Sequence, residues 1–155
     1  MTQRLNLSHV APKAYRAMGE FQNYVNSTRI EQDLRELIAL RVSYMNGCAY
    51  CVDMHTKDLR AAGESEQRLY ALPVWRETPF FTPKERAALS FAEAVATMGS
   101  EGVPDDVFAE VREFFDEGEV VELIMTVIAI SGWNRLMVTI RRDVGDYQPK
   151  VRKAS

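Results

Sequence analysis

Hydrophobic residues recur at intervals of three and four positions along most of the chain, which is the pattern of amphipathic helices. The first such stripe comprises Ala11, Ala14, Met18, Phe21 and Val25. The second comprises Leu34, Ile38, Val42 and Met45. It meets Asn46-Gly47, residue types that tolerate the left-handed backbone at a helix C-terminus. No stretch shows the alternation of a strand, so the pattern predicts an all-α fold.

Capping and breaking residues divide the rest of the chain into further helices. A third helix is predicted over 48–62, ending at Gly63, and a short one over 66–72, with Ser65 as its N-cap and Pro73 as its end. Thr82 and Glu85 form a capping box around Pro83 and predict a helix that continues to Gly99.

The C-terminal half adds two more predicted helices. Pro104 opens one whose predicted buried face is Val107, Val111, Phe114 and Phe115. The stretch 120–141 is apolar almost all round, as expected of a helix at the centre of a bundle. We therefore expect one domain over 1–155, a bundle of about six to eight helices with its core motif in 31–63.

Composition and charge narrow the class of protein. With 46% hydrophobic residues among 155, the chain can bury one sizeable core. A net charge of −3 favours neither nucleic acid nor an anionic membrane, and the basic residues Arg141, Arg142, Lys150, Arg152 and Lys153 are predicted to form a solvated tail. The segment 1–10 has no apolar signal region, and the apolar run 123–130 is too short for a membrane span. We expect a cytoplasmic protein.

The two cysteines of the chain stand in one motif, C-x-x-C-x-x-x-H, formed by Cys48, Cys51 and His55. At helical spacing all three fall on the inward, apolar stripe, whereas Asp53, Lys57 and Arg60 fall on the opposite face. Cysteines three apart on a helix can form a disulfide, and the first turn favours thiolate. An imidazole one turn further along can move the thiol proton, so the motif predicts redox chemistry.

Two other interpretations of the motif stay open at this point. Cys48, Cys51 and His55 can serve as three ligands of a zinc ion, with His9 or Glu36 as the fourth. Each of them can also be an ordinary buried side chain. Because all the cysteines share one stripe with a histidine, we favour redox chemistry over both.

The stretch from Glu36 through the cysteine motif closely resembles the alkyl hydroperoxidase D-like proteins, which belong to the carboxymuconolactone decarboxylase family. There a Glu precedes the CxxCxxxH motif by eleven residues, and Glu36 stands at that spacing from Cys48. The similarity extends through 72–78 and on to Trp133, Asn134 and Arg135. It therefore covers most of the chain.

The resemblance implies an antioxidant thiol peroxidase or disulfide oxidoreductase that assembles into trimers or hexamers and needs neither a cofactor nor a metal. It implies that Cys51 attacks a small hydroperoxide, that Cys48 resolves the product, and that His55 and Glu36 move protons. A dithiol or lipoyl-type protein would re-reduce the disulfide. The alternatives are a lactone decarboxylase, which gives the family its name, and a metal or redox sensor built on the same Cys and His residues.

Residues outside the motif carry weaker expectations. Tyr50 stands where the best-studied member of the family has a second His; a phenol is a poor proton shuttle, so we assign Tyr50 to the substrate pocket, with Trp133 and Asn134. Periodicity alone makes Glu36 a surface carboxylate. It also places Arg41 inside an apolar stripe, where it needs an ion pair or a subunit contact, and Glu36 is one candidate partner.

Overall fold

The computed structural model describes residues 2–149, in which the chain forms eight α-helices and one 3-10 helix. In chain order these are α1 (Leu7–Val10), α2 (Pro12–Asn26), α3 (Gln32–Met45), α4 (Ala49–Ala61), α5 (Glu66–Ala71), the 3-10 helix (Leu72–Glu77), α6 (Pro83–Ala96), α7 (Asp105–Arg112) and α8 (Glu117–Ile140). The described part of the chain holds no strand, and the predicted all-α fold is confirmed.

The helix boundaries follow from local chemistry that the sequence displays. The side chains of Ser65 and Thr82 each accept a backbone N–H at a helix start, and Thr82 with Glu85 closes the predicted capping box. Gly47 and Gly63, with φ of +64° and +97°, end α3 and α4 in a backbone conformation that other residues adopt only under strain.

Two predicted helix ends and the predicted burial of Phe114 differ from the structure. Pro73 does not end the fourth predicted helix outright, because the chain passes from α5 into the 3-10 helix; a proline in a first turn gives up no hydrogen bond there. The predicted helix that was to reach Gly99 ends instead at Ala96. The prediction that Phe114 is buried is wrong. Helix α7 ends at Arg112, and the side chain of Phe114 is 38% exposed.

Helix α8 is the centre of the bundle and packs against α2, α3, α4, α6 and α7. By length and composition α8 also qualifies to cross a membrane, with 44% of its most apolar window buried, but the core helix of a bundle passes the same test. The prediction that it is buried all round is only partly right. Val121, Ile128 and Val138 are 53%, 48% and 46% exposed.

The packing of α3 places the functional motif. This helix contacts α4, α6 and α8, and most of its residues after Leu34 are buried. The turn at Asn46-Gly47 folds α4 directly back onto α3, and the two helices pack against each other. The first turn of α4 therefore directs Cys48 and Cys51 into the bundle, while Gly47 and Ala49 beside them stay exposed. Of the predicted basic tail, Lys150, Arg152 and Lys153 lie outside the described residues.

Candidate redox site

The two cysteines lie at the N-terminus of α4, with their side chains buried. Cys48 is the N-cap, and its Sγ accepts the backbone N–H of Cys51 at 3.4 Å. The two form a disulfide with their Cα atoms 5.3 Å apart, and they are only 1% and 2% exposed. The sequence predicted both the inward orientation and the capacity for a disulfide. An N-cap sulfur that receives an amide N–H is stabilised as a thiolate when the bond is reduced.

His55 lies one helical turn beyond Cys51 and is 8% exposed. Its Nδ1 is 2.6 Å from Oε2 of Glu36 on the neighbouring helix. Its other ring nitrogen, Nε2, is buried and receives no hydrogen bond from any described group. When Nδ1 carries the proton donated to the carboxylate, the free lone pair of the neutral ring is on Nε2. The pair therefore presents a base inside the bundle.

Glu36 is not the surface carboxylate that periodicity alone predicts. Its side chain is only 23% exposed, because α3 is covered by α4 on one side and α8 on another and so has no broad polar face. The spacing to Cys48 locates it correctly beside the motif.

A small pocket opens beside the Glu36–His55 pair. It is lined by Gln22, Val25, Asn26, Arg35, Glu36, Ala39, His55, Thr126 and Ile130. The lining mixes apolar side chains with amides and one cation, Arg35, whose pKa is lowered by burial. Neither cysteine belongs to this lining.

The three residues predicted to line a substrate pocket, on α4 and α8, do not line the pocket beside Glu36 and His55. Trp133 is half-buried and stacks edge to face on Tyr15, with ring centroids 5.9 Å apart. Tyr50 is half-buried, with the guanidinium of Arg142 5.1 Å from its ring centroid. This contact also corrects the prediction that Arg142 belongs to a solvated tail.

Asn134 is 1% exposed and joins α8 to α3 through hydrogen bonds. Its amide nitrogen donates to Ser43 Oγ at 3.0 Å, and its oxygen accepts from Asn46 at 2.9 Å. It also lines a second pocket with Asn46, Arg135, Val138 and Thr139. The hydrogen bonds give this buried amide a structural role whatever the pocket holds.

Arg41 has the ion pair that its position demands, but the partner is Glu93 on α6. Its Nε lies 2.5 Å from Glu93 Oε1, and the indole N–H of Trp75 donates to the same oxygen at 2.8 Å. Arg76 pairs with the other oxygen. Glu36, the partner considered from sequence, is instead bound to His55. His9, the other histidine, is exposed as expected.

Sequence reasoning missed two residues at the edge of the site, Asp58 and Tyr147. A carboxylate oxygen of Asp58, one of Glu36 and a ring nitrogen of His55 all lie within 4.8 Å of one another. Such a set of donors suits a metal ion, and neither cysteine is part of it. Asp58 follows His55 by three residues on the same helix face, a signal that could have found it; Tyr147 lies in an irregular segment and gave none.

Three comparisons with known proteins bear on this site. The model of the carboxymuconolactone decarboxylase family matches residues 12–94, which include Glu36, both cysteines and His55. The uncharacterized protein YdfG of Bacillus subtilis is 41% identical over 140 residues, covering 90% of this chain and 95% of YdfG.

Two solved structures share the fold. ATU0492 of Agrobacterium tumefaciens is a protein of unknown function, described as a candidate antioxidant defence protein AhpD. It superposes with a TM-score of 0.91 at 40% identity, covering 94% of this chain and 100% of that one. An uncharacterized peroxidase-related protein of Ralstonia eutropha JMP134, with an alkylhydroperoxidase AhpD core, gives a TM-score of 0.80 at 25% identity, covering 90% of this chain and 74% of that one.

Proposed function

The chain belongs to the carboxymuconolactone decarboxylase family, and we propose that within it the protein is a thiol-dependent hydroperoxidase of the alkyl hydroperoxidase D type. The observation that carries the proposal is the Cys48–Cys51 disulfide on the helix turn that precedes a buried His55–Glu36 pair. Two thiols that can form a disulfide beside a fixed base are the groups needed to reduce a peroxide.

In the first step the Cys51 thiolate attacks one oxygen of the hydroperoxide ROOH. The O–O bond breaks, Cys51 becomes a sulfenic acid, and the leaving alkoxide takes a proton to become the alcohol ROH. His55 takes the thiol proton on Nε2 and returns it to the alkoxide, while Glu36 stabilises the intervening imidazolium through Nδ1.

In the second step Cys48 attacks the sulfur of the Cys51 sulfenic acid. The S–S bond forms, and hydroxide leaves as water after protonation. A dithiol or lipoyl-type donor then reduces the disulfide through a mixed disulfide and is itself oxidised. Each cycle thus converts ROOH and a dithiol into ROH, water and a disulfide.

The division of roles between the cysteines follows from their different surroundings. Cys51 shares its helix face with His55 one turn on, so its proton has an acceptor. Cys48 at the N-cap receives the Cys51 N–H, which stabilises the thiolate that must attack the sulfenic acid. By the helix dipole alone, Cys48 would be the more acidic thiol, so the assignment of Cys51 as the attacking residue rests on His55.

The substrate is a small hydroperoxide. Both sulfurs are buried, and the pocket beside Glu36 and His55 has a partly apolar lining. The residues proposed for the chemistry require no cofactor. Because the cycle needs its disulfide to be re-reduced, we assign the protein to a reducing compartment, the cytoplasm.

We also propose that the chain forms a homo-oligomer, a trimer or a hexamer. Val121 and Ile128 lie one heptad apart on α8 and are about half exposed, an unusual position for aliphatic side chains of a central helix. Burying this stripe against another copy would remove it from water. Light scattering should give three or six chains per particle, and Ile128→Glu should reduce that number; a monomeric wild type would refute the oligomer.

The test of the function is a thiol count on reduced, metal-free protein before and after one equivalent of cumene hydroperoxide. We expect the loss of two thiols per chain, reversed by dihydrolipoamide. The double variant Cys48→Ser/Cys51→Ser is the matched control and should leave the hydroperoxide intact. Two persisting thiols in the wild type would overturn the proposal, and zinc held stoichiometrically by the reduced protein would favour a metal or redox sensor.

A further inference from the structure

The second pocket opens between the end of α3 and the last two turns of α8. It offers more room than the pocket beside His55, which has space for little more than one water molecule. The organic part of a hydroperoxide therefore needs a place other than the pocket beside His55. The second pocket has room for a small organic group, and its lining consists of Asn46, Asn134, Arg135, Val138 and Thr139.

The wall of this second pocket is hydrogen-bonded to the turn that carries Cys48. Asn134 accepts from Asn46 at 2.9 Å and donates to Ser43 Oγ at 3.0 Å. The backbone oxygen of Ser43 in turn accepts the N–H of Cys48 at 3.0 Å. Ser43 thus joins the pocket wall to the backbone of Cys48, so a molecule in the pocket lies beside the turn that leads into the disulfide.

The turn beside the pocket is open to solvent, although the disulfide behind it is buried. Asn46, Gly47 and Ala49 are exposed, whereas Cys48 between them is 1% exposed. Space is open where a Cβ on Gly47 would stand. A ligand that enters from solvent at this turn therefore arrives at the residues next to the disulfide.

The charge of the second pocket selects the class of its ligand. Among the described lining residues Arg135 alone is charged, and its hydrogen bond goes to the backbone oxygen of Ser131 at 3.2 Å. A guanidinium has five N–H donors, so most of them remain for a ligand. The last carbonyls of α8, which would oppose an anion, already accept from Arg4: its side chain donates to Thr139 at 3.1 Å and its backbone N–H to Ile140 at 2.8 Å.

We propose that the second pocket binds the carboxylate of a small organic acid and that Arg135 recognises it. A planar carboxylate accepts two parallel N–H bonds from a guanidinium, and one guanidinium matches its single charge. Val138 offers an apolar contact to the adjoining hydrocarbon. The inference deepens the proposed function, on which it rests: the hydroperoxide that Cys51 reduces carries a carboxylate group.

The first test measures binding without any peroxide. The disulfide form is titrated with para-isopropylbenzoate and with the neutral para-isopropylbenzamide, and the side-chain amide signals of Asn46 and Asn134 are followed by NMR. The acid should shift these signals and the amide should not. Arg135→Gln should weaken the binding of the acid about tenfold, the loss expected for a hydrogen-bonded charge.

Two further variants separate the guanidinium from net charge. Arg60→Gln is the matched control, because Arg60 lies at the opposite end of α4 from Cys48 and pairs with Glu66 on the exposed surface. It removes the same charge and should bind the acid as the wild type does. Arg135→Lys keeps the charge but offers no planar pair of donors, so it should retain part of the affinity.

The second test identifies the molecule that carries the carboxylate. Single-turnover thiol loss is measured with cumene hydroperoxide and with its para-carboxylated analogue, and the ratio of the two rate constants is compared between proteins. The wild type should prefer the carboxylated analogue, and Arg135→Gln should lower the ratio roughly five- to tenfold. The same ratio is measured for reduction of the disulfide by dihydrolipoate and by dihydrolipoamide, and Arg135→Gln should leave it unchanged.

Equal binding of the acid and the amide to the wild type would overturn the proposal, as would acid binding that Arg135→Gln leaves unaltered. If Arg135→Gln fails to fold, the comparison of acid and amide on the wild type decides. A variant effect confined to dihydrolipoate would refute the substrate assignment, because the carboxylate would then belong to the electron donor. Acid binding as expected in a protein that consumes neither hydroperoxide would refute the proposed function and leave the carboxylate site standing.

Discussion

His55 Nδ1 lies 2.6 Å from Oε2 of Glu36, a residue nineteen positions earlier on a different helix. The contact is enforced by the turn at Gly47, which folds α4 back onto α3 and brings the middle of each helix against the other. The carboxylate fixes which ring nitrogen carries the proton and leaves Nε2 as a base. The proposed chemistry thus depends on a tertiary contact as much as on the CxxCxxxH motif.

The first prediction concerns the charge of Glu36. Glu36→Gln keeps the size of the side chain but removes the anion that stabilises the His55 imidazolium. A hydrogen bond to a charged group contributes about 1.5–3 kcal/mol, so single-turnover thiol loss with cumene hydroperoxide at pH 7 should slow roughly ten- to a hundredfold.

Glu31→Gln is the control for that change, because Glu31 lies at the start of the same helix with its side chain 73% exposed. It should react at the wild-type rate. A Glu36→Gln protein that also reacts at the wild-type rate would remove Glu36 from the relay and leave it a structural anchor for His55.

The second prediction separates the two cysteines. Cys48→Ser should allow one turnover and accumulate a sulfenic acid on Cys51, which dimedone traps and mass spectrometry locates. Cys51→Ser should leave the hydroperoxide unconsumed. If the trapped sulfenic acid appears instead in Cys51→Ser, on Cys48, then the N-cap position controls reactivity and the two roles are reversed.

Most of this site could be predicted from the sequence because it lies within one helix. The inward face shared by Cys48, Cys51 and His55 depends only on the helical period, and it is confirmed by their burial. The capping box at Thr82 is equally local. A second box, between Asp116 and Glu119 at the start of α8, carries the same signal and was overlooked.

The features that the sequence did not predict depend on contacts between segments that are distant along the chain. Periodicity misplaced Glu36 because α3 is covered on several sides, which removes the polar face that the argument assumes. Arg41 was correctly expected to have a partner, but Glu93 lies 52 residues away on another helix. Tyr147 lies in an irregular segment, where side-chain direction has no period.

The third prediction concerns the stability of the α3–α8 contact. Asn134→Ala removes a fully buried amide and leaves Ser43 and Asn46 each without one hydrogen-bond partner. We expect the free energy of unfolding, measured by urea denaturation, to fall by about 1–3 kcal/mol. If the role of Asn134 is structural, the variant should lose its thiols to hydroperoxide at the wild-type rate. A rise in the hydroperoxide concentration needed for the half-maximal rate would instead place Asn134 in the substrate path.

The matched control is Asn23→Ala on the exposed side of α2. Because this asparagine is exposed and alanine is a better helix former, the free energy of unfolding should stay the same or rise slightly. A loss as large as that of Asn134→Ala would show that the network carries no special stability.

The fourth prediction uses Glu93, which joins Arg41, Arg76 and the indole of Trp75. Burial by itself raises the pKa of Glu93, but the hydrogen bonds from Trp75, Arg76 and Arg41 outweigh it and hold the pKa below its usual range. The carboxylate therefore stabilises the folded state above the unfolded pKa of about 4.3, and this contribution is lost as the pH falls through the lower folded value.

Glu93→Gln should accordingly lower the free energy of unfolding at pH 7 by about 3 kcal/mol, because two arginines lose a partly buried anionic partner. Because the amide resembles the protonated acid, the difference in free energy of unfolding between wild type and variant should become smaller as the pH falls below about 4. Urea denaturation at a series of pH values measures both, with Glu110→Gln, at an exposed position of α7, as the control. If this difference in free energy of unfolding stays constant down to acid pH, Glu93 contributes through packing and not through its charge.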